Sequence, residues 1–206
     1  MPKLDLLIGF LLATSVFAYM PGPSTLYATA QTLAPGKRGG LLAALGIHTG
    51  GYVHVIAAAI GLAALFEVIP ILYTVMKLAG AAYLVWLGVK FFMNRQDLMV
   101  DSEQAGQKTT FWQSATVEIL NPKTALFYVS FLPQFTDIDA ALPLWAQLLF
   151  LGTIVNIMFS SADLICVFLA EKLSSMFKKS KSSIRIVNRI GGGILIALGL
   201  NLATSK

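Results

Sequence analysis

Six apolar runs divide the chain, at about 4–30, 40–66, 70–92, 111–133, 143–170 and 185–203. Each has the length of a helix that crosses a bilayer, which takes roughly 20 apolar residues. Two of the six are interrupted. Met20-Pro21-Gly22-Pro23-Ser24 sits inside the first run, and Asn121-Pro122-Lys123 inside the fourth. A proline removes a backbone N–H and clashes with the preceding turn, so the helix must kink or break at both places. In hydrocarbon the freed polar groups are tolerated only where protein or a wet cavity covers them. Two broken spans in one small membrane protein point to a transport site near the membrane middle.

The polar positions between the runs set an orientation. The first loop carries Lys37 and Arg38, the third Arg95 and Lys108, and the fifth Lys172, Lys178, Lys179 and Lys181. The second has only Glu67, and the fourth only Asp137 and Asp139. Basic loops stay inside, which puts the first, third and fifth in the cytoplasm and both termini outside. Trp112 and Trp145 fall at span ends, where indoles favour the interface, whereas Trp86 falls mid-span and is expected to pack inside. The polar stretch 94–110 is a cytoplasmic linker between two halves, about 1–93 and 111–206, of a single transmembrane domain. A cleaved leader over residues 1–18, ending at Ser15-Val16-Phe17-Ala18, is the competing reading of the start; the apolar run continues past that site and Asp5 is out of place in a leader.

Composition narrows the class. With 56% hydrophobic and 12% charged residues the chain is too apolar for a soluble domain. The net charge of +5 sits in loops where topology needs it, so it gives no reason to expect a nucleic-acid partner. A single cysteine, Cys166, rules out an internal disulfide. No nucleotide-binding loop is present, so uphill transport must draw on an ion gradient, and proton antiport is the simplest form.

The halves also echo one another. An offset of 111 lays Lys77-Leu78-Ala79-Gly80 over Asn188-Arg189-Ile190-Gly191 and Gly88 over Gly199. An offset of 101 lays Leu26-Tyr27 over Phe127-Tyr128. Three spans per copy is an odd number, so the second copy runs upside down in the membrane. The expected fold is therefore an all-α integral membrane protein of six helices, arranged as two inverted three-helix repeats with helices 1 and 4 broken.

Several ordered motifs resemble the LysE/RhtB amino-acid exporters: Pro21-Gly22-Pro23, Gly46-x3-Gly50-x3-His54 with Gly61-Leu62, Lys77 through Gly88, and Asn121-Pro122-Lys123 through Leu132-Pro133-Gln134-Phe135. The resemblance covers nearly the whole chain. It implies a small bacterial inner-membrane permease that exports amino acids or close derivatives. Members of the family often carry an acidic residue after the glycine matching Gly50; here Gly51 and Tyr52 follow, which points away from lysine and toward a neutral substrate such as threonine, homoserine or leucine.

The residues at the breaks suit a zwitterion. Gly22 or Ser24 can cap the half-helix that restarts at Pro23, and Asn121 can cap the one that restarts at Pro122 and Lys123. In an inverted arrangement both restarts lie near the membrane middle, and their N–H groups and positive dipole ends suit a carboxylate. The carbonyls freed around Phe17, Ala18 and Val117 offer negative charge to an ammonium. Plain packing kinks are the competing reading. Glu118, one turn before the second break, is a proton or ammonium site, or else a partner for Lys123. Lys123 either attracts the substrate carboxylate or pairs with Glu118. Asp163 shares a helical stripe with Asn156 and Ser160, which lines a pathway or joins helices. His54 lies on the face of Gly46 and Gly50 and reads as a hydrogen-bonded packing histidine, with a proton relay as the other reading. Gly80, Gly88 and Gly191-Gly192-Gly193 allow close helix contacts within the monomer or in a homodimer.

Two other functions compete with export. A metal or cation exporter would draw on His54, Asp163, Cys166 and methionines, but no cluster has ligand spacing, so no metal site is expected. An intramembrane enzyme would use Ser24 as nucleophile, but no base stands at a useful spacing. The chain is expected to be no enzyme, to need no cofactor, and to meet only its substrate and membrane lipid.

Overall fold

A computed structural model describes residues 4–20, 22–33, 36–93 and 111–179, together with 189, 193, 196, 197 and 200. The linker 94–110, most of the sixth run and Pro21 lie outside the described residues. The described residues are helical apart from short connections and the loop 136–143. Helix α1 is Leu4–Tyr19, α2 Pro23–Leu33 and α3 Lys37–Ile56. A π-helical turn, Ala57–Leu62, joins α3 to α4, Ala63–Val68. After Pro70 restarts the chain come α5, Pro70–Met93, then α6, Phe111–Ile119, and α7, Pro122–Phe131. A 3-10 turn, Leu132–Phe135, follows α7, and α8 runs Leu144–Lys179.

Two helical stretches are long and apolar enough to cross a membrane, Lys37–Val68 and Leu144–Ala170. A third is gained if Leu7–Tyr19 and Pro23–Leu33, bent by 44° at their junction, count as one span. Apolar side chains face outward in numbers a water-soluble protein avoids: Ile60, Ile71 and Phe168 are each more than 60% exposed. Trp86, expected inside, is 55% exposed. The second run differs from expectation through its π-turn, which the apolar pattern could not reveal because every residue in Ala57–Leu62 is apolar or glycine.

Both breaks fall where proline chemistry puts them. Helix α1 closes with Met20 N donating to Val16 O at 3.1 Å, and α2 opens with Leu26 N donating to Gly22 O at 2.9 Å. Helix α6 tightens at its end, Asn121 N reaching Glu118 O at 3.0 Å, and α7 opens with Ala125 N on Asn121 O. Pro122 has no N–H for Glu118 O, its natural partner four residues back, which is why the helix ends there.

Around these breaks α3 packs most extensively on α6 and next on α8, while α2 packs on α3 and α8. The α3–α6 contact needs glycine: a Cβ on Gly50 would meet Ala115 O at 2.5 Å. Below the breaks an aromatic column fills the core. Phe17 and Phe127 have centroids 4.3 Å apart, Phe127 and Phe131 4.3 Å, and Phe131 and Phe135 4.6 Å.

Candidate functional site

The two breaks meet at one small cavity. Its walls are Phe17 and Ala18 from α1, Gly22, Ser24 and Thr25 at the start of α2, Glu118 of α6, Asn121, Lys123 and Thr124 at the start of α7, and Phe159 and Asp163 of α8. Its volume of about 20 Å³ is room for one water. Six residues singled out in the sequence therefore come together: Gly22, Ser24, Glu118, Asn121, Lys123 and Asp163. Pro23 and Pro122 start the two half-helices behind them.

Asn121 caps α7 as expected, its Oδ1 accepting from Lys123 N at 3.0 Å with Pro122 in the first turn. Its amide nitrogen faces the other way and donates to Ser24 Oγ at 2.6 Å and to Glu118 Oε2 at 3.1 Å. Ser24 in turn donates to Glu118 Oε2. This triangle ties the start of α2 to both sides of the second break. Ser24 is thus no helix cap; Gly22 holds the cap position of α2, and the serine hydroxyl is spent on Glu118.

Lys123 turns first to the chain itself. Its Nζ donates to Phe17 O at 3.1 Å and to Met20 O at 2.9 Å, and it sits 4.6 Å from the Phe17 ring centre. The Phe17 carbonyl is the one that a proline at 21 leaves without its helical donor. The charge expected to receive a substrate ammonium is therefore already taken by an ammonium of the chain itself. Gly22 makes room for that side chain: a Cβ there would lie 2.9 Å from Lys123 Cδ and Nζ. At the second break Glu118 O, which Pro122 cannot serve, takes Asn121 N–H and His54 Nε2 at 2.9 Å, and Asn121 N is thereby drawn away from Val117 O. A carbonyl accepts only, so Nε2 carries the proton. His54 is a hydrogen-bonded packing histidine here.

The polar stripe on α8 divides. Asp163 faces the cavity. Asn156 and Ser160 instead hold α3: Asn156 Nδ2 donates to His48 O at 3.1 Å, and Ser160 Oγ lies 2.5 Å from His48 Nδ1. Thr25, Thr124 and Phe159 are cavity residues that the sequence pattern did not single out. Thr25 and Thr124 each stand just inside a proline-started helix, a signal that position alone could have supplied. Among the described residues no group of three or more His, Cys, Asp or Glu side chains is arranged to hold a metal ion.

Helical breaks packed around a charged cavity, inside a shell of outward apolar side chains, define an integral membrane protein with an internal polar site. Residues 15–206 match the family model described as LysE type translocator, and the chain belongs to that family. It is 30% identical to the uncharacterised membrane protein YrhP of Bacillus subtilis over 97% of this chain and 99% of the relative. It is 32% identical to an uncharacterised membrane protein of Vibrio cholerae, over 97% of each. It is 29% identical to a leucine efflux protein of Klebsiella pneumoniae, over 96% of this chain and 94% of that one. No solved structure matches the chain.

Proposed function

We propose that the chain exports a neutral α-amino acid, of the leucine kind, across the bacterial cytoplasmic membrane in exchange for protons. The observation that carries this is the charge layout of the cavity. Lys123 has three N–H donors and spends two on carbonyls, so one remains for a substrate carboxylate. Glu118 and Asp163 stand across the same cavity for the substrate ammonium. Phe17 and Phe159 beside them offer an apolar wall to an uncharged side chain. A relative named for leucine efflux and the translocator family support the same reading.

Alternating access would come from rocking of two inverted three-helix repeats, 1–93 and 111–206, about the broken helices. Both termini would lie outside and the linker 94–110 in the cytoplasm. A cavity the size of one water admits leucine only when its walls part, so the described conformation is a closed one. The test is efflux from cells loaded with a panel of dipeptides, with and without expression. Leucine-type amino acids should leave faster in expressing cells; no acceleration for any amino acid would end the exporter reading.

A further inference from the structure

We propose that the amino acid leaves the cavity along the aromatic column, with the rings of Phe17, Phe127 and Phe159 as the outer gate and Thr14 and Gln134 as polar stations on the way. This deepens the exporter reading above and rests on it and on its topology. Phe17 and Phe159 are walls of the cavity. Phe127 lies behind both, its ring centre 4.3 Å from that of Phe17 and 5.3 Å from that of Phe159. The column continues through Phe131, Phe10 and Phe135, and the loop 136–143 begins at the next residue. One end of the column therefore touches the substrate site and the other the exit face.

Two side chains along this column do not belong in a plain core. Thr14, 0% exposed, lies on the face of α1 that carries Phe10 and Phe17, one turn from each. Gln134, 1% exposed, stands beside Phe135. Thr14 Oγ1 and Gln134 Oε1 have no hydrogen-bond partner among the described residues. Thr29, Thr32, Thr49, Thr116 and Thr153 each turn back to the carbonyl four residues earlier, and Thr14 does not. Gln134 spends an amide N–H on Ser130 O, which leaves its oxygen over. Buried polar atoms without partners are costly, and an apolar core has no use for two of them. An amino acid passing between them does: the hydroxyl can donate to its carboxylate, and Gln134 Oε1 can accept from its ammonium. Neither group is charged, so neither traps a zwitterion. A third such atom, Tyr27 OH, lies in the apolar cluster across the breaks, with Ala43 and Ile47, and is no part of this route.

Helix α1 is the element free to part from the column. Between Leu7 and Val16 the one side-chain hydrogen bond among the described residues is Ser15 Oγ to Leu11 O, inside the helix. Lys123 holds the far end of α1 at Phe17 O and Met20 O, which makes the break a pivot. Stacked rings can separate there with no hydrogen bond broken. By contrast α2 is tied through Ser24 to Glu118, and α3 through His48 O to Asn156.

The test is thiol labelling of intact cells in a Cys166→Ser background, with a charged, membrane-impermeant methanethiosulfonate added outside. Thr14→Cys should react about tenfold faster while the cells export leucine from a loaded dipeptide, as a minor open state becomes common. Its adduct should stop efflux. Gln134→Cys should behave alike, and serves alone if Thr14→Cys does not insert. Leu12→Cys, on the outward face of the same helix at 56% exposed, is the control: its labelling should not change with export, and its adduct should leave efflux intact. If export speeds labelling at neither Thr14→Cys nor Gln134→Cys, or if their adducts leave efflux unchanged, the route is overturned while export stands. A wild type that exports no amino acid of the efflux panel overturns export and the route together.

Discussion

At the first helix break the carbonyls of Phe17 and Met20 receive the ammonium of Lys123, a residue of the second break. At the second, the carbonyl of Glu118 receives Asn121 N–H from its own turn and the imidazole of His54 from α3. The second break also carries its own cap in Asn121, whereas the first starts from Gly22, which has no side chain to give. The first break is thus built from its counterpart, and the second largely from itself. In a membrane interior, where a freed carbonyl must find a donor in the protein, this makes the start of α7 the keystone of both.

The largest effect should come from Lys123→Met, which keeps most of the side chain's reach but strips both Phe17 O and Met20 O of their charged donor. A loss of about 3 kcal/mol is expected, from charge-assisted bonds removed and acceptors left uncovered. Transport per inserted molecule should fall to background, because the remaining N–H for the substrate goes too. Detergent melting and efflux on the same preparations check it. Unchanged stability would mean that the first break does not lean on the second.

Asn121 sharpens the comparison. Asn121→Ala removes the cap and the links to Ser24 and Glu118 together, at a cost of about 2 kcal/mol. Asn121→Ser keeps an oxygen for the cap but lacks the amide that reaches α2. It should recover about 1 kcal/mol of that loss while transport stays as low as in the alanine variant. Equal melting temperatures for the two variants would show that the cap contributes nothing.

His54→Leu should do least. Asn121 N–H still meets Glu118 O after the imidazole is gone, so about 1 kcal/mol is expected. Efflux should keep its pH dependence, since the histidine touches a backbone carbonyl and no side chain of the cavity. A flattened pH profile would move His54 from packing into the proton route.

Much of this was legible in the chain. The two prolines that start α2 and α7 lie where the pattern put the breaks, and Asn121 with Pro122 gave the second helix start outright. The candidate list reached six cavity residues because each stands within a turn of a break or on the one polar face of α8. It missed Thr25 and Phe159, whose neighbours in sequence say nothing about a cavity. It also gave the Phe17 carbonyl to a substrate and read Asn156 with Asp163 as one stripe. Asn156 and Asp163 are seven residues apart on one helix, yet one holds α3 and the other lines the cavity between the breaks.

What the sequence determined by itself acts over a turn or less: where a backbone N–H is missing and which side chain can cap. What only the tertiary structure decided is which distant group fills each vacated partner's place. Lys123 and Phe17 are 106 positions apart, Ser24 and Glu118 94, and His54 and Glu118 64. A freed carbonyl accepts from any donor, so its chemistry does not name one. The packing of the helices made the choice, by setting which donors come within about 3 Å of it.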